Sequence, residues 1–363
     1  MAMTRREFGW LTLAGVPAVG MLRGEVGYAA AQTREPLSRW AGVQVGLNVP
    51  YSLGTGNNIS AQDLLKRVVD LGVGGLELRA QPVEHFLGSP TVVAAAEAAA
   101  ARGAGGGRGG GRAAGQGGAA RGGGRAGQAG GARGGGRAAA TPEQVAAARQ
   151  QAEDVRKWRL SAPMSRLKDM RQMYEDAGVR IEILKVDGLY DLADDELDYF
   201  FQMARDLGAR ALSSELPNPF DDTKRIGAFA DKHRIFLAYH HHAQAGAAEY
   251  EASVFPHARY NGANVDIGHW TATQNASPLP FIAAHHERIP HIHVKDRRFG
   301  TNGGQNVPFG EGDTEIREIL RAIRDNKWNI QATIEFEYPV PEGSDRATEI
   351  RKCVAYCRDV LQS

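Results

Sequence analysis

The sequence predicts an α/β protein of the (β/α)8 TIM-barrel class, on three observations. Eight short apolar runs follow one another between residues 43 and 336. Amphipathic stretches of helical period lie between most of them, and glycines mark several helix-to-strand joins. The later runs end in His, Asp and Glu, and a parallel barrel builds its site from side chains at the C-terminal ends of successive strands. A doubly wound open sheet would carry a glycine fingerprint after its first strand, and Asn48-Val49-Pro50-Tyr51-Ser52 has none.

In chain order the strand candidates are Val43–Leu47, Gly75–Arg79, Arg180–Lys185, Ala209–Ser214, Ile235–Tyr239, Asn264–Ile267, Ile289–Val294 and Ala332–Phe336. Amphipathic helices are expected at Ala61–Leu71, Arg166–Ala177, Asp194–Leu207, Thr223–His233 and Thr314–Asn326, with further helices at Thr141–Lys157 and Pro278–Arg288. Gly72, Gly178 and Gly208 fall just past three of these patterns, where a helix C-cap hands over to a strand. A last helix carries Cys353 and Cys357 at i, i+4, a poor disulfide spacing, so both read as packing residues.

The chain has 363 residues, 42% hydrophobic and 23% charged, which suffices for one large core. Its start, Thr4-Arg5-Arg6-Glu7-Phe8, leads into an apolar run from Trp10 to Leu22 and then Ala29-Ala30-Ala31. These are the three parts of a signal peptide, with the twin-arginine pair of folded-protein export. Residues 1–31 are therefore expected to be an export leader and residues 42–363 a periplasmic or otherwise extracytoplasmic barrel. The apolar run is too short for a stable membrane span.

Residues 102–137 hold 19 Gly and seven Arg, with no acid. Such a segment cannot bury enough apolar surface to offset its ordering entropy. It is expected to be a disordered insertion after the second strand, on the side where site loops emerge. RGG-like repeats also bind RNA, but an exported protein meets little of it. The formal net charge of +1 hides this asymmetry: setting aside the leader and the insertion leaves about −7 on the rest of the chain. An acidic body is a poor match for phosphate backbones, so no nucleic-acid partner is expected. The sequence does not choose between a monomer, a homodimer and a homotetramer.

Three strand ends carry the chemistry: Asn264-Val265-Asp266-Ile267-Gly268-His269, His291-Ile292-His293-Val294-Lys295-Asp296 and Ile334-Glu335-Phe336-Glu337. Alternate residues of a strand share a face, so His291 and His293 point one way, and so do Glu335 and Glu337. Strand four ends in Ser213-Ser214-Glu215 and strand five in Tyr239-His240-His241-His242. Asp266, His293 and one of Glu335 and Glu337 are the ligands this arrangement points to, with His240 and Glu215 as further candidates at the ends of strands five and four. This mixture of imidazole and carboxylate suits manganese, with magnesium, cobalt or zinc as alternatives. A cation chelated by adjacent hydroxyl and carbonyl oxygens of a sugar acidifies the C–H between them and stabilises the enediolate that follows.

Lys295 is placed to meet the developing oxyanion, with Glu335 and Glu215 as carboxylates for catalysis. His269, His242, Arg297, Glu337 and Asn48 are candidate substrate contacts. His241 should face outward if its neighbours face inward. His241 and His291 read as core residues, and His285 and His286 as surface residues. Glu335 and Glu337 would crowd one ion, so one of them is expected to support the other ligands.

These motifs resemble the xylose-isomerase-like TIM barrels of the sugar isomerase/epimerase superfamily, which includes inosose dehydratase, tagatose 3-epimerase and an AP-endonuclease branch. The resemblance runs from about Gly42 to the C-terminus without the Gly/Arg insertion. It rests on Asp266-Ile267-Gly268-His269, His293-Val294-Lys295-Asp296, Tyr239-His240-His241-His242, Gly310-Glu311-Gly312-Asp313 and Ile334-Glu335. It implies that Asp266, His293 and Glu335 are metal ligands and that His269 touches substrate. One departure matters. The epimerases carry a Glu at the end of strand five, as ligand and as one of two acid/base carboxylates. Here that position is His240, as in the inosose dehydratase-like branch.

The resemblance therefore implies a metal-dependent isomerase- or epimerase-type enzyme acting on a sugar or keto-sugar. A lyase or hydrolase of oxidised glycosides, or an inosose dehydratase-like eliminase, is the alternative on the same residues. Phosphodiester cleavage fits the acidic body poorly, and a non-catalytic periplasmic sugar-binding barrel would have little use for a metal flanked by a lysine. One test follows from the composition. Replacing residues 102–137 by a short linker should leave the thermal midpoint nearly unchanged, because loop-closure entropy varies slowly with length. A drop of several degrees would show that the segment is docked.

Overall fold

Eight parallel strands close into a TIM barrel in the computed structural model of the chain, which describes residues 35–104 and 141–363. They are β1 (Val43–Val49), β2 (Gly75–Arg79), β3 (Arg180–Lys185), β4 (Ala211–Glu215), β5 (Phe236–His240), β6 (Asn261–Asp266), β7 (His291–Val294) and β8 (Gln331–Ile334). Each pairs with the next, and β8 closes on β1 through Ala332 opposite Val45 and Ile334 opposite Leu47. The expected leader, residues 1–31, lies outside the described residues. So does the expected insertion apart from its first three positions, which end the helix Pro90–Ala104.

The barrel interior is polar at its base. Gln331 projects inward, and its Nε2 donates to Thr333 Oγ1 at 3.0 Å. Room for it comes from Gly46 and Gly75, where a Cβ would lie 2.7 Å from Gln331 Cδ and 2.5 Å from Gln331 Oε1. A short pair not expected from the sequence, Arg39–Trp40 antiparallel to β1, leads the chain under the N-terminal ends of β2 and β3. There Leu37 packs so close to Gly74 that a Cβ would fall 2.0 Å from the Leu37 carbonyl oxygen.

The outer layer follows the amphipathic patterns. Helices Ala61–Asp70, Leu167–Asp176, Asp194–Leu207, Asp222–His233 and Ile316–Asp325 stand close to their expected limits. The apolar faces of these helices, such as Leu64 with Val68 and Ile319 with Ile323, are removed from water against the strands. Gly208 ends one of them with φ 79°, and its N–H reaches the Ala204 and Arg205 carbonyls.

Helix Pro142–Ser161 differs. It runs four residues past its expected end, opens with a Thr141/Gln144 capping box and has no buried residue. Ion pairs hold it instead: Arg156 to Asp195, and Arg159 to Glu84 at 2.8 Å and Glu196 at 2.7 Å. No described helix is long and apolar enough to cross a membrane.

Asp296 and Arg297, beyond the expected end of the seventh strand at Val294, form a two-residue antiparallel pair with Asn306–Val307. The reason is the buried Asp296 carboxylate, which accepts from the backbone N–H groups of Gly310, Gly312 and Thr314 at 2.8, 3.0 and 3.3 Å. Gly312 has to be glycine here, since a Cβ would lie 2.0 Å from Asp296 Oδ1. This clamp folds the segment after β7 back on itself.

Cys353 and Cys357 are buried and unpaired in helix Arg346–Gln362, where burial pushes the Cys353 thiol up to about 12. Neither thiol should react with a disulfide reagent in the native protein at pH 8, and both should react after denaturation. Native-state reaction at the rate of a free thiol would show that this helix opens.

Candidate metal centre

Alternate residues of each strand face the barrel axis, and four of them converge at the C-terminal mouth. They are His240 ending β5, Asp266 ending β6, His293 in β7 and Glu335 just past β8. One donor atom from each lies within 4.8 Å of all the others, and all four residues are buried. His240 Nε2 is 3.3 Å from Asp266 Oδ2. His293 Nδ1 is 3.6 Å from Asp266 Oδ2 and 3.3 Å from Glu335 Oε2.

The far nitrogen of each imidazole is held by a carboxylate. Glu77 Oε2 takes His293 Nε2–H at 2.6 Å, and Glu215 Oε2 takes His240 Nδ1–H at 3.0 Å. Both rings are thereby turned so that the other nitrogen faces the group. His293 Nδ1 is buried and has no hydrogen-bond partner, a costly state for a ring nitrogen. A divalent cation among these four donors would satisfy it, and carboxylate, histidine and metal in a row is the usual support for such a ligand. The residues present therefore fit a divalent cation.

Lys295 lies at the same point. Its Nζ donates to Glu337 Oε2 at 2.6 Å and forms ion pairs with Glu335 Oε2 at 2.5 Å and Asp266 Oδ2 at 3.0 Å, with His269 Nε2 3.4 Å away. Gly268 lets its stem pass, since a Cβ there would sit 2.3 Å from Lys295 Cγ. Burial opposes the ammonium, but Asp266, Glu335 and Glu337 outweigh it and raise its pKa. Burial likewise opposes the carboxylates, yet Lys295 holds both Asp266 and Glu335 well below the usual range. Burial is overcome in His293 by Glu77 and Glu335, and in His240 by Glu215, so both rings are raised.

The remaining sequence candidates surround this group. Glu215 lies behind His240 rather than among the four donors, with Lys185 Nζ 2.7 Å from its Oε1. Asn48 donates to Glu335 Oε1 at 2.9 Å, and Tyr51 donates to Glu337 Oε1 at 2.8 Å. His242 is exposed, 3.5 Å from Glu215 Oε2. His269 is half-buried, with Nε2 3.9 Å from Asp266 Oδ2, and burial pushes it down to about 3. Arg297 turns to His269 Nδ1 at 2.7 Å and to the Gly304 carbonyl. His241 faces away from the group, buried between Tyr250 and Trp270. His291 sits one layer below His293, and His285 and His286 are half-buried rather than free on the surface, the first on Glu251 and the second stacked on Trp328.

A family model described as the xylose isomerase-like TIM barrel matches residues 155–360. The chain belongs to this family. No curated protein sequence matches it. Among solved structures the chain is similar to a xylose isomerase domain protein from Alicyclobacillus acidocaldarius, at TM-score 0.53 and 12% identity over 88% of this chain and 100% of that one. A xylose isomerase domain protein from Planctomyces limnophilus gives TM-score 0.52 and 12% identity over 89% and 97%. A sugar phosphate isomerase/epimerase from Parabacteroides distasonis gives TM-score 0.49 and 16% identity over 89% and 96%. At such identities the likeness is one of fold.

Three members of this xylose isomerase-like site were not picked out from the sequence: Glu77, Lys185 and Tyr51. Glu77 had a readable signal, because Gly75-Leu76-Glu77-Leu78-Arg79 alternates and puts one acid on the axis face of an apolar strand. Lys185 ends β3 in the same way. Tyr51 carried no such signal, since its place depends on how the chain turns after β1.

Removing the ammonium should expose its role. Lys295→Met leaves three carboxylates without their counter-charge and should cost the metal-free protein about 3–5 kcal/mol in denaturant unfolding. Divalent metal should recover much of that loss, and an unchanged midpoint would show that the ion pairs contribute nothing. Metal loading should also depend on pH with a definite sign. His240 and His293 have raised pKa values, so they hold protons that a cation must displace. Affinity should therefore fall as pH drops, roughly tenfold per pH unit for each proton displaced. A pH-independent affinity in calorimetric titration between pH 6 and 8 would rule these rings out as ligands.

Proposed function

We propose that this chain is an exported, divalent-metal-dependent enzyme of isomerase or epimerase type, acting on a sugar or keto-sugar by removing a proton next to a carbonyl. The observation that carries this reading is the pair of histidines whose outer nitrogens are pinned by Glu77 and Glu215 while their inner nitrogens converge with Asp266 and Glu335. Manganese suits the donor set best, and His240, Asp266, His293 and Glu335 would hold it. A bound cation would supply Lewis acidity to adjacent carbonyl and hydroxyl oxygens and so acidify the C–H between them.

The chain's own groups do the rest. Lys295 remains an ammonium beside Asp266 and Glu335 and donates to the substrate oxygen on which negative charge builds. Glu215 and Glu337 border the group from β4 and from beyond β8, opposite sides of an eight-stranded barrel, without belonging to the four donors. Each is paired with a lysine, Lys185 or Lys295, and either carboxylate is positioned for proton transfer at the mouth. His242, His269 and Asn48 line the approach as substrate contacts. The twin-arginine leader in the sequence supports export, with cytosolic loading of a weakly held ion before it.

A second reading is β-elimination or hydrolysis of an oxidised glycoside. His240 at the end of β5 favours it, since elimination needs one base and a proton donor rather than a carboxylate on each face of the carbon. Incubating the metal-loaded protein in D2O with 3-keto-glycosides and with free ketoses separates the two. Deuterium exchange without release supports isomerase or epimerase chemistry, and aglycone release supports elimination. Asp266→Ala and His293→Ala should abolish both metal content and turnover, whereas full turnover in either would sink the proposal. His240→Glu should keep the metal and move the enzyme toward proton exchange at the α-carbon.

A further inference from the structure

On the β2 side of the mouth stands a cation that the proposed chemistry leaves unused. Arg79 ends β2 two residues beyond Glu77, so it shares the axis-facing side of that strand, one layer nearer the mouth. In the parallel register it stands beside Lys185 of β3. Its Cζ lies 6.0 Å from the centre of the Tyr51 ring, whose hydroxyl donates to Glu337 Oε1. Glu337 Oε2 in turn accepts from Lys295. The guanidinium therefore borders the same mouth as the four donors, without touching any of them.

Arg79 has more donors than the chain gives it acceptors. Nη1 donates to Asp187. Among the described residues, Nε is buried without a hydrogen-bond partner and Nη2 donates to none. Nε and Nη2 form one edge of the guanidinium, and such an edge takes both oxygens of a carboxylate in parallel hydrogen bonds. A buried donor left unpaired is costly, and burial opposes the charge as well. Asp187 shows what fits. It stands in the turn after β3, just before Gly188 at φ 72°, with its side chain 40% exposed against 17% for Arg79. One carboxylate thus already sits on the guanidinium, and the Nε/Nη2 edge is left for a second. Lys185 offers no such edge, since its Nζ faces Glu215 at 2.7 Å and Asp187 at 3.6 Å.

We propose that Arg79 is a specificity-determining residue that takes a substrate carboxylate on its Nε/Nη2 edge, so that the substrate is a sugar acid. The sugar part rests on the function proposed above, whereas the carboxylate part rests on Arg79 alone. A neutral sugar offers only hydroxyls, which do not present two charged acceptors side by side. A phosphate monoester would bring about two negative charges beside Asp187 and Glu215, with a single free edge to meet them. A planar carboxylate matches that edge in both shape and charge.

The test titrates the full-length, Mg2+-loaded protein calorimetrically with D-glucuronate and D-galacturonate, and with the matching amides, which keep the shape and lose the charge. At least one acid should bind about tenfold or more tighter than its amide. Arg79→Met should bring that ratio to about one, and Arg79→Lys should restore part of it. Asp187→Asn removes the competing carboxylate and should raise the ratio further. Equal binding of each acid and its amide by the wild type, or a ratio that survives Arg79→Met, overturns the proposal. So does an unchanged ratio in Asp187→Asn, which keeps the test decisive if Arg79→Met does not fold. Deuterium exchange on neutral ketoses without any preference for acids would overturn the carboxylate and leave the proposed chemistry standing. Acid-selective binding that depends on Arg79, with neither exchange nor release, would support the carboxylate and sink the proposed chemistry.

Discussion

Glu77 and His293 meet inside the barrel, and the metal group depends on that contact. Both side chains are fully buried, so each charge would be expensive alone. At 2.6 Å the carboxylate fixes which imidazole nitrogen carries hydrogen and how the ring is turned, and Nδ1 is left facing Asp266 and Glu335. β2 and β7 are not neighbours in the sheet. The contact exists only because the sheet closes, so the fold and the ligand geometry are one constraint seen from two sides.

The same arrangement is repeated on the other flank. Glu215 fixes His240 as Glu77 fixes His293, and Lys185 balances Glu215 as Lys295 balances Asp266, Glu335 and Glu337. Buried charges here alternate in sign across seven strands, from Glu77 on β2 to Glu335 just past β8, so removing one strands its neighbour. It also explains how an acidic mouth folds before any cation arrives. The two lysines differ in use. Lys185 is consumed by Glu215 and Asp187, whereas Lys295 stands among the donors themselves, where substrate oxygens would come.

The loop after β7 completes the site by rigidity rather than by new donors. Asp296 gathers three backbone N–H groups, and Gly312 permits the approach. The segment so held carries Arg297 onto His269. A residue read from the sequence as a substrate contact is therefore turned toward another side chain, and the difference comes from a carboxylate next to it in the chain.

The sequence by itself determined the eight strands, the class of fold and the four converging donors. Strand period and helix period are local properties, and a ligand at a strand end is legible once the strand is. Asp266, His293 and one of Glu335 and Glu337 could be named on that basis alone, while His240 and the choice of Glu335 came from the resemblance to the family. What only the tertiary structure decided was the partner of each. Glu77 could be read as inward-facing, but not as the residue that orients His293, because 216 positions separate them along the chain. Glu215 could be read as a nearby carboxylate, but whether it faces the metal group or stands behind His240 turns on the register of β4 against β5. Hydrogen bonds of this kind are set by barrel closure and packing, and no local pattern encodes them.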